Sequence, residues 1–338
     1  MKVSVLMLAY NHRKFIERAI DSVLDQETTF PYELIIRDDG SSDGTPQLVS
    51  RYQAEHPAMV RVLPTERRLG MMQNLREVYR ACEGEYISPL DGDDFWSCPL
   101  RLQRTVDFLD SHPQCSMCFH NALVIDEDGN YFAKSFCSPE QKEISGLVDI
   151  LVENFIPTSA GLYRHARFLQ GFMPTYGDLL IADWPVNISY ARLGLIGYLP
   201  QTMSVYTKHA AGQWTGASYD DKIRSILGMY AAVDKLTNRR YASLLDALGA
   251  YWKNRFELEN LYRQRQQARE EQLRSAEPAK QQAKERIVRF DERILACRSD
   301  QESLQRLVDQ LHHEAADSSP ASAVSSNDVV PGHTETKP

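Results

Sequence analysis

The chain has 338 residues, of which 43% are hydrophobic and 25% are charged, and its formal net charge at pH 7 is −8. This length exceeds one average domain, so we expect one large domain with an appendage. The acidic balance argues against nucleic acid as the main partner, because a phosphate-binding face would raise the number of basic residues. No apolar run reaches the roughly 18 residues of a membrane span.

The N-terminus enters a strand-like run directly, without the parts of a signal peptide, so we expect a cytoplasmic protein. The six cysteines show no paired framework and are predicted to be free thiols. Cys115 and Cys118 have the spacing of a zinc or redox pair, but no second pair follows at zinc-finger distance. Buried strand thiols are the favoured interpretation.

The N-terminal part of the chain alternates between apolar runs and amphipathic patterns. Residues 2–9 are almost continuously apolar, as expected for a strand covered on both faces. Further strands are predicted at 32–37, 60–63 and 85–90, with helices over 13–26, from 45 onward and over 70–82. This alternation predicts an α/β fold with a mixed, mostly parallel sheet and helices on both faces.

The second part of the chain changes in character. The predicted elements are helix 99–111, strands 115–125 and 131–136, helix 145–153, and helices 217–236 and 239–276. We divide the chain into a sheet domain (1–215), a helical extension (216–277), a heptad-patterned helix (278–314) and a tail (315–338). The tail is rich in Ser, Ala, Pro and Thr and is predicted to be disordered.

Residues 287–311 follow a heptad pattern. The a and d positions are occupied by Ile287, Phe290, Ile294, Cys297, Gln301, Leu304, Val308 and Leu311. Two interpretations remain open. The helix could form a coiled coil between two chains and so make a homo-oligomer, or it could fold back on helix 239–276 after the break at Pro278.

An acidic cluster follows the strand predicted at 85–90. It contains Asp91, Asp93 and Asp94, and adjacent carboxylates about 4 Å apart repel by ~4 kcal/mol at an effective dielectric near 20. In an extended backbone Asp91 and Asp93 would point to the same side and hold one hard cation, while Gly92 would let a ligand approach. Mg²⁺ or Mn²⁺ bridging a phosphate fits best, and an ordinary acidic turn is the alternative.

A second acidic turn, residues 38–45, follows the strand predicted at 32–37. Ligands of open α/β sheets bind at the carboxyl ends of the strands, where Tyr10 also lies. The two turns and Tyr10 therefore predict one shared crevice.

Three motifs in this order resemble a known family. They are residues 5–11 (VLMLAYN), residues 38–45 (DDGSSDGT) and residues 84–96, which include DGDDFW. The pattern is similar to that of family-2 glycosyltransferases of the GT-A fold. The resemblance implies an inverting enzyme that uses a nucleotide-sugar donor.

The resemblance also implies a nucleotide site. Ala9, Tyr10 and Asn11 match the end of the first strand, which packs against the nucleobase in this family. Asp39 matches the carboxylate that accepts from the base, which is usually a pyrimidine such as uracil. Arg68 stands where an Asn often lies, and it could either offer its charge to the diphosphate or form only a surface salt bridge.

A metal site is implied by the same comparison. Asp91 and Asp93 match the ends of the family's DXD motif, where Asp91 lies nearer the ribose and both residues serve the metal. Gly92 lies between them, and Asp94 and Trp96 are possible supporting residues.

Inverting transfer requires a carboxylate that takes the proton from the acceptor hydroxyl. The family places this group in an acidic dipeptide before an apolar helix, and Asp183 is the closest match, with Ala182 in place of the first acid. The alternative role of Asp183 is that of a helix N-cap, and Asp178 is the second candidate for the base.

The segment 205–214 resembles the one that closes the donor site in this family. Lys208 could face the diphosphate, and His209 could complete the metal shell through an imidazole nitrogen. Gly212 suggests a loop that becomes ordered over the donor.

The sequence thus predicts a metal-dependent transferase that moves a sugar, from UDP by preference, to a hydroxyl of a glycan or lipid-linked glycan. A lipid-linked acceptor would require peripheral contact with the inner face of the membrane. A nucleotidyltransferase would need a Gly-rich basic loop where residues 10–12 stand. A scaffold acting through its coiled coil is the third hypothesis.

Overall fold

The computed structural model describes residues 1–133, 135–165, 176, 179–210, 212, 214–275 and 279–317. Asp178 and Pro278 lie outside the described residues. The strands are β1 Val3–Ala9, β2 Tyr32–Asp38, β3 Val60–Val62, β4 Tyr86–Pro89, β5 Phe95–Trp96, β6 Cys115–Asp126, β7 Tyr131–Ala133, β8 Ile144–Ser145, β9 Leu162–Arg164 and β10 Leu195–Lys208. The helices are α1 Ile16–Leu24, α2 Thr45–Glu55, α3 Met71–Ala81, α4 Arg101–Ser111, α5 Leu147–Val152, α6 Asp183–Ala191, α7 Tyr219–Leu236, α8 Ala242–Arg274 and α9 Ala279–Asp317.

The described strands form one sheet in the order β3-β2-β1-β4-β9-β6-β10-β5, with β7 paired to β6 and β8 to β10. The pairs among β1, β2, β3 and β4 are parallel, as is the pair of β6 with β10. Strand β9 is antiparallel to both β4 and β6 and joins the two parallel parts. The predicted mixed, mostly parallel α/β sheet is confirmed.

The apolar run at residues 2–9 contains strand β1, which is covered by helices on both faces. Val5 and Met7 pack with one group of helical side chains, whereas Leu6 packs with a second group on the opposite face. Alternate residues of a strand point to opposite faces, so a strand between two helical layers must be mostly apolar. The one polar residue of β1, the buried Ser4, donates from its hydroxyl to Glu33 Oε1 at 2.7 Å. Each fully buried apolar side chain contributes about 1.5–3 kcal/mol.

The helical extension packs on the sheet domain. Ile226 and Met229 of α7 and Leu248 of α8 are fully buried or nearly so and belong to the same apolar core as Leu6. No helix among the described residues has both the length and the hydropathy needed to span a membrane.

Helix α9 folds back along α8 as an antiparallel hairpin. Ile294 and Cys297, from the predicted heptad seam, pack against Leu261 of α8. Arg293 bonds to Glu257 at 2.8 Å beside this contact. Of the two interpretations of the heptad pattern, the structure shows the fold-back. The helix is described as far as Asp317, so it extends past the predicted start of the tail at 315, and residues 318–338 lie outside the described part.

The far end of α9 returns to the sheet domain beside α5. Val308 is almost fully buried in the main core, and His312 Nε2 lies 3.2 Å from Asp149 Oδ1. Asp149 also accepts from Lys142 Nζ and from the backbone N–H of Gly146, each at 2.7 Å. Burial opposes ionisation, but these donors outweigh it and hold the pKa of Asp149 below its ordinary value.

The six cysteines are free, as predicted. Cys115 and Cys118 are buried in β6, and burial raises the pKa of both thiols. This agrees with the interpretation of the pair as buried strand thiols.

Candidate active site

A cavity of about 840 Å³ lies at the carboxyl ends of β1, β2 and β4. Most of the predicted site residues line it. These are Ala9, Tyr10, Asp39, Arg68, Asp91, Asp93, Asp94, Asp183, Lys208 and His209. Asn11, Gly92 and Trp96 are not among the described residues that line it.

The acidic cluster contains a tight turn, so the backbone is not extended through Asp93 as predicted. The backbone N–H of Asp94 donates to the carbonyl of Asp91 at 3.1 Å. The N–H of Gly92 donates to the carbonyl of Leu8 at 3.0 Å, which fastens the turn to β1. This bond continues the parallel β1–β4 ladder one step beyond the bond from the Leu90 N–H to the Leu6 carbonyl, so the chain is still paired with β1 at Gly92 and turns there.

Two histidines face Asp93. His209 Nε2 lies 2.9 Å from Asp93 Oδ2, and His12 Nε2 lies 3.6 Å from the same oxygen. Burial would raise the pKa of Asp93, but the His209 bond and the nearby imidazoles hold it below its ordinary value. The bond to Asp93 in turn raises the pKa of His209. The structure therefore places His209 as a hydrogen-bond partner of Asp93.

The other two carboxylates of the turn are poorly compensated. Burial raises the pKa of Asp91, and the charges of Asp93 and Asp183 raise it further. Burial and the charge of Asp93 also raise the pKa of Asp94, although the backbone N–H of Thr207 donates to Asp94 Oδ1 at 2.9 Å. A cation placed in this cluster would relieve the cost of holding several carboxylates together.

The residues of the turn fit a divalent cation that is held jointly with a phosphate. Among the described residues, no three Asp, Glu, His or Cys side chains form a ready group of metal ligands. Mg²⁺ sites of this kind commonly use one or two carboxylates and take the remaining oxygens from substrate phosphates and water. Asp91 and Asp93 supply such oxygens at the cavity surface.

Asp39 is fixed by the loop before α3. Its Oδ1 accepts from the backbone N–H of Leu69 at 2.8 Å, and its Oδ2 accepts from that of Gly70 at 2.9 Å. The buried Arg37 lies 3.8 Å from Oδ1. The N–H of Asp39 also bonds to the carbonyl of Ala9 at 2.8 Å, which joins the β1 and β2 ends.

Two of the predicted residues that do not line the cavity, Asn11 and Trp96, have structural contacts of their own. Asn11 has a left-handed φ of 56°. Its backbone N–H donates to Ser41 Oγ at 2.7 Å, and its side-chain Oδ1 accepts from the backbone N–H of Ser42 at 3.0 Å. Asn tolerates this conformation better than most residues. Trp96 is buried, and its indole N–H donates to the carbonyl of Ser159 at 2.9 Å. The structure thus gives Trp96 a place in the core.

Asp183 is the first residue of α6, while Ala182 occupies the N-cap position. The predicted alternative role of Asp183 as the N-cap is therefore wrong. Its Oδ2 accepts from Asn154 Nδ2 at 2.7 Å. Asn154 Oδ1 accepts from Asn187 Nδ2 at 3.0 Å, and Asn187 Oδ1 accepts from the Tyr163 hydroxyl at 2.7 Å.

This chain of bonds fixes the orientation of the Asp183 carboxylate. Burial raises the pKa of Asp183, whereas the backbone N–H of Trp184 and the Asn154 amide lower it, and the net shift is upward. A raised pKa makes a carboxylate a better proton acceptor near neutral pH.

Lys208 and Gly212 both line the cavity. The ammonium group of Lys208 lies 4.1 Å from the ring centroid of Phe132, an exposed side chain of β7. Exposed cation–π contacts of this kind contribute only about 0.5–1 kcal/mol, so a phosphate could draw the ammonium group away.

Sequence reasoning missed several residues that line the cavity. His12 and Asn154 were not selected, and neither was a group from the helical extension that contains Lys222, Trp252, Arg255, Phe256 and Glu259. Trp214 was included only as the last residue of the segment 205–214. The spacing of Trp252 and Phe256 places them on one face of a helix, but that pattern is equally typical of a core.

The comparisons with known proteins agree with this geometry. Residues 4–167 match the family model described as glycosyl transferase family 2. An uncharacterized protein of Mycobacterium tuberculosis is 36% identical over 223 residues, which are 64% of this chain and 62% of the relative. The chain thus spans somewhat less than two thirds of the length of that relative.

Solved structures show the same fold. The 1–349 fragment of S. aureus TarS, crystallised in complex with UDP-GlcNAc, matches with a TM-score of 0.56 at 19% identity, over 94% of this chain and 91% of that one. The mannosyltransferase PcManGT from Pyrobaculum calidifontis, in complex with GDP-Man and Mn²⁺, matches with a TM-score of 0.52 at 15% identity, over 94% and 88%. The fold is that of the GT-A glycosyltransferases.

Proposed function

We propose that this chain is an inverting glycosyltransferase that moves a sugar from a nucleoside diphosphate donor, UDP by preference, to a hydroxyl of a glycan or glycolipid acceptor. The observation that carries the proposal is the single cavity that Asp39, Asp91, Asp93 and Asp183 share. These residues come from three regions of the chain, and a nucleotide site, a cation site and a base are the parts that such a reaction requires.

The donor half of the cavity is suited to a nucleoside diphosphate. Tyr10 offers a partly exposed ring for a nucleobase, and Asp39 lies beside it as the carboxylate that reads the base. The two similar structures hold UDP-GlcNAc and GDP-Man, which supports a nucleotide-sugar donor here. Lys208 would contact the diphosphate after leaving Phe132.

Asp91 and Asp93 would hold Mn²⁺ or Mg²⁺ together with the diphosphate. The cation supplies neutralisation of the charge that develops on the leaving nucleoside diphosphate. His209 keeps Asp93 ionised and oriented through its bond of 2.9 Å. Direct coordination of the cation by His209 stays a prediction beside this role.

Asp183 would take the proton of the acceptor hydroxyl as that oxygen attacks the anomeric carbon. Its Oδ2 is held by Asn154, so Oδ1 is the oxygen we assign to the proton. The bond between the anomeric carbon and the diphosphate oxygen breaks, and its electron pair leaves with the nucleoside diphosphate. The new bond to the acceptor oxygen forms on the opposite face of the sugar, which inverts the anomeric centre. We expect the protein to be cytoplasmic and to contact the membrane when the acceptor is lipid-linked.

The test is thermal stability with UDP, GDP, CDP and dTDP, each with and without Mn²⁺. A ligand at about 100 times its Kd stabilises the folded state by ~2.7 kcal/mol. We expect a Mn²⁺-dependent rise in Tm with one nucleotide, lost in Asp93→Ala and retained in Asp300→Ala, which changes an exposed carboxylate on α9. No rise with any nucleotide would contradict the proposal.

A further inference from the structure

Three aromatic residues from beyond the family-2 match face the same cavity. We call Trp214, Trp252 and Phe256 the aromatic wall. Trp252 and Phe256 lie one turn apart on α8 with ring centroids 5.6 Å apart, and the Trp214 ring meets Phe256 edge-on at 6.0 Å. Trp252 and Phe256 are mostly buried, whereas Trp214 is partly exposed. Trp214 is therefore the ring of the wall most open to a ligand.

The wall is continuous with the neighbourhood of the proposed base. Trp184, the residue after Asp183, meets Trp252 edge-on at 5.6 Å. Its indole N–H donates to the carbonyl of Ile150 at 2.6 Å, which fixes the ring. A group bound on the wall would thus lie near the carboxylate that must receive a proton.

Charged side chains border the wall. The Arg255 guanidinium lies 4.7 Å from the Trp252 ring centroid and also 3.7 Å from Glu153 and 3.8 Å from Glu259. The Lys222 ammonium lies 5.4 Å from the Trp214 ring centroid. The positive charge of Arg255 is balanced by two carboxylates. This border therefore offers both hydrogen-bond donors and hydrogen-bond acceptors, and its charges largely cancel around Arg255.

We infer that the aromatic wall and its charged border form the acceptor subsite and bind a sugar ring of a glycan or glycolipid. A pyranose ring presents C–H groups on its face and hydroxyl groups around its edge. The face suits an aromatic surface, and the edge suits Arg255, Glu259 and Lys222. This inference rests on the proposed function, since it assigns the second substrate of that reaction.

The chain contains four tryptophans, which provide a direct test. Trp184, Trp214 and Trp252 line the cavity, and Trp96 does not. The full-length protein would be labelled with 5-fluorotryptophan, and the four ¹⁹F resonances would be assigned by single Trp→Phe substitutions. Methyl β-pyranosides of glucose, galactose, mannose and N-acetylglucosamine would then be titrated in the presence of UDP and Mn²⁺.

We expect at least one glycoside to shift the Trp214 resonance, with Trp96 unchanged. Trp214→Ala should weaken the affinity for that glycoside about tenfold, a free-energy change of ~1.4 kcal/mol. Because Trp214 ends the segment 205–214, the Kd for UDP would be measured in the same variant and should change less. Tyr262→Ala, on the part of α8 that packs against α9, is the matched control and should change neither.

The outcomes separate the two proposals. If UDP binds but no glycoside moves Trp214 or Trp252, the acceptor subsite is wrong and the donor site stands. If a glycoside binds equally well to Trp214→Ala, the wall is not its binding surface. If UDP with Mn²⁺ does not raise the Tm and no glycoside changes a resonance, the proposed function fails together with this inference.

Discussion

The guanidinium carbon of Arg68 lies 3.9 Å from the ring centroid of Tyr10, so the cation covers the ring that we assign to the nucleobase. Its Nε is also 3.8 Å from Asp39 Oδ2. An exposed cation–π contact contributes about 0.5–1 kcal/mol, whereas stacking of a base on an aromatic ring contributes about 1–3 kcal/mol. A base can therefore displace Arg68, which would then be free to contact the diphosphate.

The substitution Arg68→Ala should affect uridine and UDP differently. Without the guanidinium on Tyr10, uridine should bind about two- to fivefold more tightly. The ratio of the uridine Kd to the UDP Kd should fall, because the variant lacks the cation that we expect to contact the diphosphate. NMR titration of both ligands measures the two Kd values, and Arg67→Ala is the neighbouring control. Weaker uridine binding in Arg68→Ala would instead show that the guanidinium stacks on the bound base.

Asp183 and Asn154 together predict a specific pH profile. Asp183→Asn should lower kcat by about 10²–10⁴-fold while UDP binding is retained. Asn154→Ala removes a donor that lowers the pKa of Asp183, so that pKa should rise further. Because the base must be deprotonated, the acid limb of the kcat profile should move to higher pH, and the rate should recover at alkaline pH. A profile that superimposes on that of the wild type would exclude this role of Asn154.

Gly92→Ala should disturb the cation site without removing a carboxylate. The new Cβ would lie 2.6 Å from Ile16 Cδ1 and 2.9 Å from His12 Nδ1, so these side chains must move. Overpacking of this kind costs about 1–3 kcal/mol, and displacement of His12 would also disturb Asp93. We expect a lower Tm and a weaker Mn²⁺-dependent affinity for UDP by calorimetry. In Gly146→Ala the nearest atom to the new methyl group is 3.9 Å away, and UDP binding should be unchanged.

The contact of Asp149 with His312 and Lys142 should stabilise the fold in a pH-dependent way. The pKa of Asp149 is lowered in the folded state, so its contribution is present above the unfolded carboxyl pKa of about 3.9 and is lost as pH falls through the folded pKa. Asp149→Asn should lower the free energy of unfolding by ~2 kcal/mol at pH 7. In calorimetry the difference from the wild type should shrink in strong acid. Asp300→Asn, an exposed change, should have little effect at either pH.

The fold of the N-terminal half was predictable because its elements carry strong periodic patterns. The apolar run at residues 2–9 corresponds to β1, and the helix predicted over 70–82 corresponds to α3, Met71–Ala81. Strand β9, Leu162–Arg164, was not predicted. Three residues are too few to show a period, and the strand exists because β4 and β6 both pair with it.

The part of the candidate site that consists of clustered carboxylates could be predicted from the sequence, whereas the contacts of single charged or aromatic residues could not. Asp91 and Asp93 stood out as two carboxylates close in sequence, but the bond from Gly92 that holds them beside β1 goes to Leu8, which is distant in sequence. The position of Arg68 on Tyr10 could not be foreseen, since a loop cation has many possible partners. Trp252 resembled an ordinary core residue, because its position at the cavity depends on how α8 packs beside the sheet domain.

The aromatic wall belongs to a stretch of chain that the family-2 match does not reach, whereas Asp39, Asp91 and Asp93 lie within it. Mutations in the two stretches can therefore accumulate separately over evolutionary time. A descendant of this protein could exchange the side chains of α8 and change the surface that its cavity offers, while it inherits the acidic turns without alteration.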